Sequence, residues 1–184
     1  KLIKDENGKY NWTSDIPDSI GRLHTFFGNF GILVRAYVYI RMLGDDGLKS
    51  MTRNAIINAN YLKNKLKDAY NIPFMEGTLH EFVASGVNQK AKGVKALDIA
   101  KALLDYGFHA PTIYFPNNVP EAMMIEPTES ETKATLDRFV EVMLEINDNI
   151  NVNPDLVREA PIKTPVTRLD ETKANRELNL RWTP

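Results

Sequence analysis

The sequence contains no cysteine among its 184 residues. That absence excludes disulfide frameworks, cysteine-bound zinc, iron–sulfur clusters and thiol nucleophiles. It does not decide the redox state of the compartment, so the cytoplasm is the default expectation. The chain starts at Lys1 rather than at a methionine, and we therefore expect a piece of a longer protein whose other residues supply part of the chemistry.

The sequence also has no excess of charge of either sign and no long apolar run. Its 23 Lys and Arg residues stand against 24 Asp and Glu residues, which gives a formal net charge of −1. Because such a balance creates no overall positive field, a dedicated binder of nucleic acid or anionic membrane is disfavoured. The apolar runs are a few residues long, whereas a membrane-spanning helix needs roughly 20. We expect one soluble domain that binds neither nucleic acid nor membrane.

Apolar spacing predicts two helices in the first third of the chain. One covers residues 32–43 and is apolar on more than one face, and the turn residues Asp45-Asp46-Gly47 are expected to end it. The next covers residues 51–66 and is amphipathic. Its lysines, Lys63 among them, are expected on the outer, charged face.

Two more helices are predicted further along. The third covers residues 94–106 and precedes Gly107, the residue type that favours a left-handed C-terminal cap. The fourth, of about 18 residues, follows Thr128-Glu-Ser-Glu131, which matches the capping-box pattern. Residues 161–184 are predicted to be irregular.

Four short segments are strand candidates because they carry β-branched or aromatic residues between turn signals. Residues 72–74 and 79–84 could form a hairpin, and residues 112–115 and 122–125 flank a turn with a proline at each end. Short strands among four sizeable helices predict an α+β domain with helices covering one face of a small sheet.

The three histidines, at positions 24, 80 and 109, lie too far apart in sequence to form a local metal-binding motif. We therefore predict no metal site.

Three segments carry candidate functional groups, each with a structural alternative. Gly28-Asn29-Phe30-Gly31 places backbone N–H groups just before a helix, where they can bind phosphate or simply pack. His109 follows a helix cap, so its ring can face a cleft or cap helix carbonyls. Glu126 ends a strand, where a carboxylate can form the rim of a site or favour the N-terminus of the next helix. We also expect the His109 and Glu126 loops to leave the sheet at the same edge and to bring the two side chains within hydrogen-bonding reach.

Six motifs occur in order along the chain: Ser19-Ile-Gly-Arg, His24-Thr-Phe-Phe-Gly-Asn-Phe-Gly-Ile-Leu-Val-Arg-Ala-Tyr, Asn58-Ala-Asn-Tyr-Leu, His80-Glu-Phe, Asp105-Tyr-Gly-Phe-His-Ala-Pro-Thr and Glu126-Pro-Thr-Glu-Ser-Glu131. Together they resemble the C-terminal part of the glycine cleavage system P-protein, the decarboxylating glycine dehydrogenase. The resemblance extends over about residues 19–182, and the Phe-Phe-Gly-Asn-Phe-Gly form is similar to the second subunit of the two-subunit type.

The resemblance implies a fold-type I enzyme dependent on pyridoxal phosphate, in which the cofactor is the electron sink. Such an enzyme decarboxylates glycine and passes the aminomethyl group to the lipoyl arm of H-protein. It implies a hetero-oligomer with the other P-protein subunit. The family's cofactor-binding lysine lies in a segment that has no counterpart here, so the isolated chain is expected to be inactive.

The resemblance also implies domains and site residues. Residues 1–30 are expected to form an extended lead-in and active-site loop, 31–48 a bridging helix, 49–150 the α+β small domain, and 151–184 an irregular tail. By position in the family, the candidate cofactor-binding residues are His24, Phe27, Gly28 and Asn29. His109 and Glu126 are the small-domain candidates for contact with substrate or the lipoyl channel.

Two other hypotheses about the function of the chain are compatible with its sequence. The chain could be a non-catalytic module for oligomerisation or carrier docking, or it could be the small domain of another fold-type I decarboxylase. A different pyridoxal phosphate enzyme would be expected to lack the Gly-Phe-His-Ala-Pro-Thr and Glu-Pro-Thr-Glu motifs in this order.

Overall fold

The computed structural model describes residues 1–21 and 28–181. The chain divides into two compact units, Lys1–Leu48 and Lys49–Pro184, and each is described separately. His24 and Phe27 lie outside the described residues. None of the described helices is long and apolar enough to cross a bilayer.

The first unit begins with an antiparallel hairpin of strands β1 (Leu2–Lys4) and β2 (Tyr10–Trp12). Asp5 Oδ1 accepts the N–H groups of Asn7 and Lys9, each at 2.9 Å. A short acidic side chain that binds its own following backbone in this way favours a tight turn. The lead-in is therefore more regular than the sequence predicted.

Helix α1 (Phe30–Leu66) contains the first two predicted helices as two helical segments that meet at a kink. Its one non-helical residue is Gly44, at φ 63° and ψ −171°, a backbone conformation that glycine adopts without a steric penalty. The predicted interruption between the two helices is confirmed, but it lies at Gly44, one residue before Asp45-Asp46-Gly47, which are themselves helical.

The part of α1 within the first unit has an exposed apolar surface. The exposed apolar residues are Phe30, Ile32, Leu33, Val34, Tyr37, Val38, Tyr39, Ile40 and Met42. This distribution confirms that the helix is apolar on more than one face.

The second unit contains an antiparallel three-stranded sheet. Its strands are β3 (Phe82–Ser85), β4 (Thr112–Ile113) and β5 (Ala122–Ile125), in the order β3-β5-β4. Phe82 pairs with Ile125, and Thr112 pairs with Met124. The predicted pairing of β4 with β5 is confirmed, but the predicted hairpin of residues 72–74 with β3 is wrong. Only an isolated bridge from Asn71 to Ser85 occurs there.

The described part of the second unit contains five further helices. They are α2 (Val87–Lys90), α3 (Ala96–Asp105), α4 (Lys133–Val152), α5 (Asp155–Arg158) and α6 (Glu171–Arg176). The α+β prediction is confirmed. Helix α6 was not predicted, because it buries no residue and so leaves no apolar period in the sequence.

The ends of α3 and α4 test two predicted caps. Gly107 has φ 80°, and Phe108 N donates to Leu103 O at 3.1 Å, as predicted for a left-handed cap. The prediction of a capping box that starts at Thr128 is wrong. Helix α4 is capped by Thr132, whose side chain accepts the Thr135 N–H at 3.1 Å.

The segment that replaces the predicted hairpin covers one side of α1. Lys63 is only 4% exposed, and its Nζ donates to Met75 O at 2.6 Å and to Thr78 Oγ1 at 2.8 Å. The predicted outward position of Lys63 is therefore wrong. Its charge lies under the 72–80 segment, whose backbone carbonyl and hydroxyl replace the water it would otherwise bind.

Candidate functional site

A cavity of about 330 Å³ lies within the second unit, between the end of the sheet and helices α1 and α4. Its apolar lining includes Leu62, Phe108, Met124, Leu136 and Phe139. The rings of Phe108 and Phe139 pack edge to face, with centroids 5.2 Å apart. The ionisable lining residues are His109, Glu126 and Glu131. The cavity combines an apolar interior with a few polar groups, which is typical of small-molecule sites.

The antiparallel register explains why His109 and Glu126 meet at this cavity. Strand β4 begins at Thr112, β5 ends at Ile125, and Thr112 pairs with Met124. Residues just before β4 and just after β5 therefore leave the sheet at one edge, as the sequence predicted. Both candidate residues line the same cavity.

The side chains of His109 and Glu126 make no hydrogen bond to each other or to any other residue in the described part of the chain. The expected His–Glu hydrogen bond is therefore not present in this structure. The alternative role of His109 as a helix cap is not seen either, because the carbonyls of Leu103 and Leu104 accept backbone N–H groups. Both side chains are exposed and available to a ligand.

Gly28 and Asn29, the described members of the predicted cofactor set, lie in the first unit. Gly28 has φ 133°. Asn29 Oδ1 accepts the Ile32 N–H at 3.2 Å, and its carbonyl accepts the Leu33 N–H at 3.0 Å. Asn29 therefore starts helix α1, and its side-chain oxygen satisfies one of the unpaired donors at the helix end.

Helix α3, which leads to His109, starts at a buried carboxylate outside the cavity. Glu121 is 7% exposed, and its Oε2 accepts the Ala96 N–H at 2.9 Å while Oε1 lies 2.6 Å from Lys90 Nζ. Burial acts to raise the pKa of Glu121, but the hydrogen bonds from Lys90 and Ala96 outweigh it and lower the pKa. The ionised group stabilises the positive end of the helix.

Sequence reasoning missed several residues that build the cavity. Leu62 and Thr135 line it, and the Asn58 amide Nδ2 donates at 2.9 Å to the carbonyl of Thr128, two residues after Glu126. Asn58 belongs to one of the six motifs, but nothing in its local spacing reveals a partner 70 residues away.

Within residues 1–21 and 28–181, no group of three or more histidines and carboxylates is close enough to bind a metal ion. Among the described residues, the cavity lining also contains neither lysine nor arginine.

Comparison with known proteins identifies the family of this chain. The family model described as "Glycine dehydrogenase, C-terminal domain" matches residues 51–163. A protein of Chlorobium phaeobacteroides named "Probable glycine dehydrogenase (decarboxylating) subunit 2" is 59% identical over 93% of this chain and 35% of its own length. Proteins of the same name from Chloroherpeton thalassium and Bacillus licheniformis are 54% and 55% identical, over 100% and 98% of this chain.

This chain spans 38% of the Chloroherpeton protein and 37% of the Bacillus protein. The family-model match lies within the second unit and includes His109, Glu126 and the rest of the cavity lining. The resemblance read from the six motifs is confirmed: the chain belongs to the glycine dehydrogenase C-terminal domain family.

Proposed function

We propose that this chain is the C-terminal part of a decarboxylating glycine dehydrogenase. The complete enzyme would release the carboxylate of glycine as CO2 and pass the aminomethyl group to the lipoyl arm of H-protein. The observation that carries the proposal is the family-model match over residues 51–163, together with the name shared by the relatives. In this proposal residues 1–30 supply an active-site loop, 31–48 a bridging helix, 49–150 the small domain and 151–184 a tail.

His109 and Glu126 are the residues that we assign to the reaction. They line one cavity, are exposed, and make no hydrogen bond within the described residues. An imidazole can gain or lose a proton near neutral pH, and a carboxylate can orient or accept one, so the pair suits general acid–base work on a bound substrate.

The cofactor proposed for the complete enzyme is pyridoxal phosphate, which supplies an electron sink when bound. The described residues do not fit it by themselves. The cavity lining contains no lysine, and the buried Lys63 ammonium is occupied by Met75 O and Thr78 Oγ1. We propose that residues of the complete enzyme outside this chain bind the cofactor, and that Gly28 and Asn29 approach its phosphate.

The partners proposed for the complete enzyme are a second P-protein subunit and lipoylated H-protein, which makes it a hetero-oligomer. The relatives' name, subunit 2, supports the first of these. The exposed apolar residues of α1 favour an additional role in subunit contact. The cytoplasmic location stays a prediction.

The test uses the complete two-subunit enzyme with His109→Gln and Glu126→Gln. We expect each change to lower aminomethyl transfer to lipoylated H-protein by roughly 10²-fold, the usual scale for a positioned acid–base group. His80→Gln is the matched control, because His80 is exposed and lies outside the cavity. Full transfer activity in both test variants would refute the site assignment. Loss of the same size in His80→Gln would show that the effect is not specific to the cavity.

A further inference from the structure

We propose that Asn58 is a positioning residue for Glu126. Its side-chain amide holds the loop that carries Glu126 against the cavity, and the inference rests on the function proposed above. Asn58 lies on helix α1, and its Nδ2 donates to Thr128 O at 2.9 Å. Thr128 is two residues beyond Glu126, in the loop between β5 and α4.

The hydrogen bond from Asn58 to Thr128 connects two sides of the cavity. Leu62, one turn after Asn58 and on the same face of α1, lines the cavity directly. The carbonyl that Asn58 binds also accepts the Glu131 N–H at 3.3 Å, and Glu131 lines the cavity as well. One backbone oxygen therefore joins the helix to a loop with a cavity-lining carboxylate on each side.

Glu126 depends on such support because its own side chain makes no hydrogen bond in the described structure. On one side, Ile125 is buried and paired with Phe82 in the sheet. On the other side, Pro127 is buried, and Thr128 is fixed by Asn58. Removing the amide releases one of the two ends that determine the position of the carboxylate. A small displacement of a reacting group can cost a large factor in rate.

The neighbouring asparagines on α1 act elsewhere. Asn60 Nδ2 donates to Ile56 O and Thr78 O, and Asn64 Nδ2 donates to Asn60 O within the helix. Neither lines the cavity. Asn64→Ala is therefore a matched control, because it removes an amide from the same helix without touching the Glu126 loop.

The experiment is a double-mutant cycle in the complete two-subunit enzyme, with Asn58→Ala, Glu126→Gln and the two combined. We expect Asn58→Ala to lower kcat for aminomethyl transfer by roughly 10-fold. The combined variant should be no slower than Glu126→Gln alone, because a group that acts through Glu126 has no effect once that carboxylate is gone. Asn64→Ala should leave kcat unchanged, and Asn58→Asp, which keeps the size but loses the donor, should behave like Asn58→Ala.

Amide hydrogen exchange gives a readout independent of activity. The Glu131 amide and the peptide covering residues 126–132 should exchange faster in Asn58→Ala and at the normal rate in Asn64→Ala. An unchanged exchange rate in Asn58→Ala would show that the Asn58–Thr128 hydrogen bond does not hold the loop, and it would overturn the inference. Independent, multiplicative losses of activity would overturn the positioning role while leaving the site intact. If Glu126→Gln is fully active, the assignment of Glu126 fails together with the inference.

Discussion

Replacing Glu121 by glutamine tests the buried carboxylate that fixes the start of helix α3. The side chain is 5% exposed and receives hydrogen bonds from Lys90 Nζ and Ala96 N. Hydrogen bonds to charged groups contribute about 1.5–3 kcal/mol each. Glutamine retains one acceptor oxygen and places an NH2 group against one of the two donors, so one such bond is lost. We expect a destabilisation of about 2 kcal/mol, or roughly 4–8 °C in Tm for a chain of this size.

The assay is urea unfolding of this chain at pH 7, with Glu141→Gln as the control. Glu141 pairs with Arg138 at 3.3 Å on the surface of α4, where its side chain is 66% exposed. Exposed pairs of this kind contribute at most about 1 kcal/mol. If Glu121→Gln unfolds at the same urea concentration as Glu141→Gln, the buried ionised carboxylate does not stabilise α3 as argued.

The pH dependence gives a second check on Glu121. Its pKa in the folded chain is lowered from the ordinary value of 4.5. A carboxyl group with a lowered folded pKa stabilises the fold above the unfolded pKa, and this stability is lost as the pH falls through the folded pKa. The gap in unfolding free energy between the wild-type chain and Glu121→Gln should therefore be constant above about pH 5.5 and shrink below pH 4.5. A gap that widens on acidification would contradict this assignment.

Two further predictions concern the isolated chain. Mixed with pyridoxal phosphate, it should give no saturable visible absorbance band that depends on one lysine, because the cavity lining contains none and Lys63 is engaged. A band abolished by one lysine substitution would contradict this. The exposed apolar part of α1 should bind a hydrophobic dye or self-associate, and Tyr37→Ser with Met42→Ser should reduce both effects, since these side chains are 65% and 81% exposed. A monomer that binds no hydrophobic dye would refute the prediction for α1.

The sequence predicted those parts of the fold that depend on neighbouring residues. The α3 helix and its Gly107 cap follow from apolar spacing and from the backbone freedom of glycine, and the turn between β4 and β5 follows from nearby prolines. Predictions failed where contacts with residues outside the local segment determine the structure. Helix α4 begins at Lys133 and is capped by Thr132 rather than by Thr128, whose carbonyl accepts hydrogen bonds from Asn58 and Glu131.

The candidate site divides in the same way. His109 and Glu126 were chosen from their positions after a helix cap and at a strand end and from the family's motifs, and the antiparallel pairing of β4 with β5 brings their loops to one edge. The hydrogen bonds of these two side chains could not be predicted from the sequence, because they depend on which groups the surrounding loops provide. His24 and Phe27 were placed only through the family's motif order, and they remain predictions.

The sequence by itself determined the family, through motifs that occur in order along the chain, and it contains no cysteine. It also determined which helical faces are apolar. Tertiary structure decided what covers each face. It placed Lys63 under a segment predicted as a strand, put β5 in the centre of the sheet, and brought Asn58 to Thr128. The physical reason is that the spacing of apolar residues shows which face of a segment avoids water. Which other segment packs against that face depends on contacts between residues far apart in sequence.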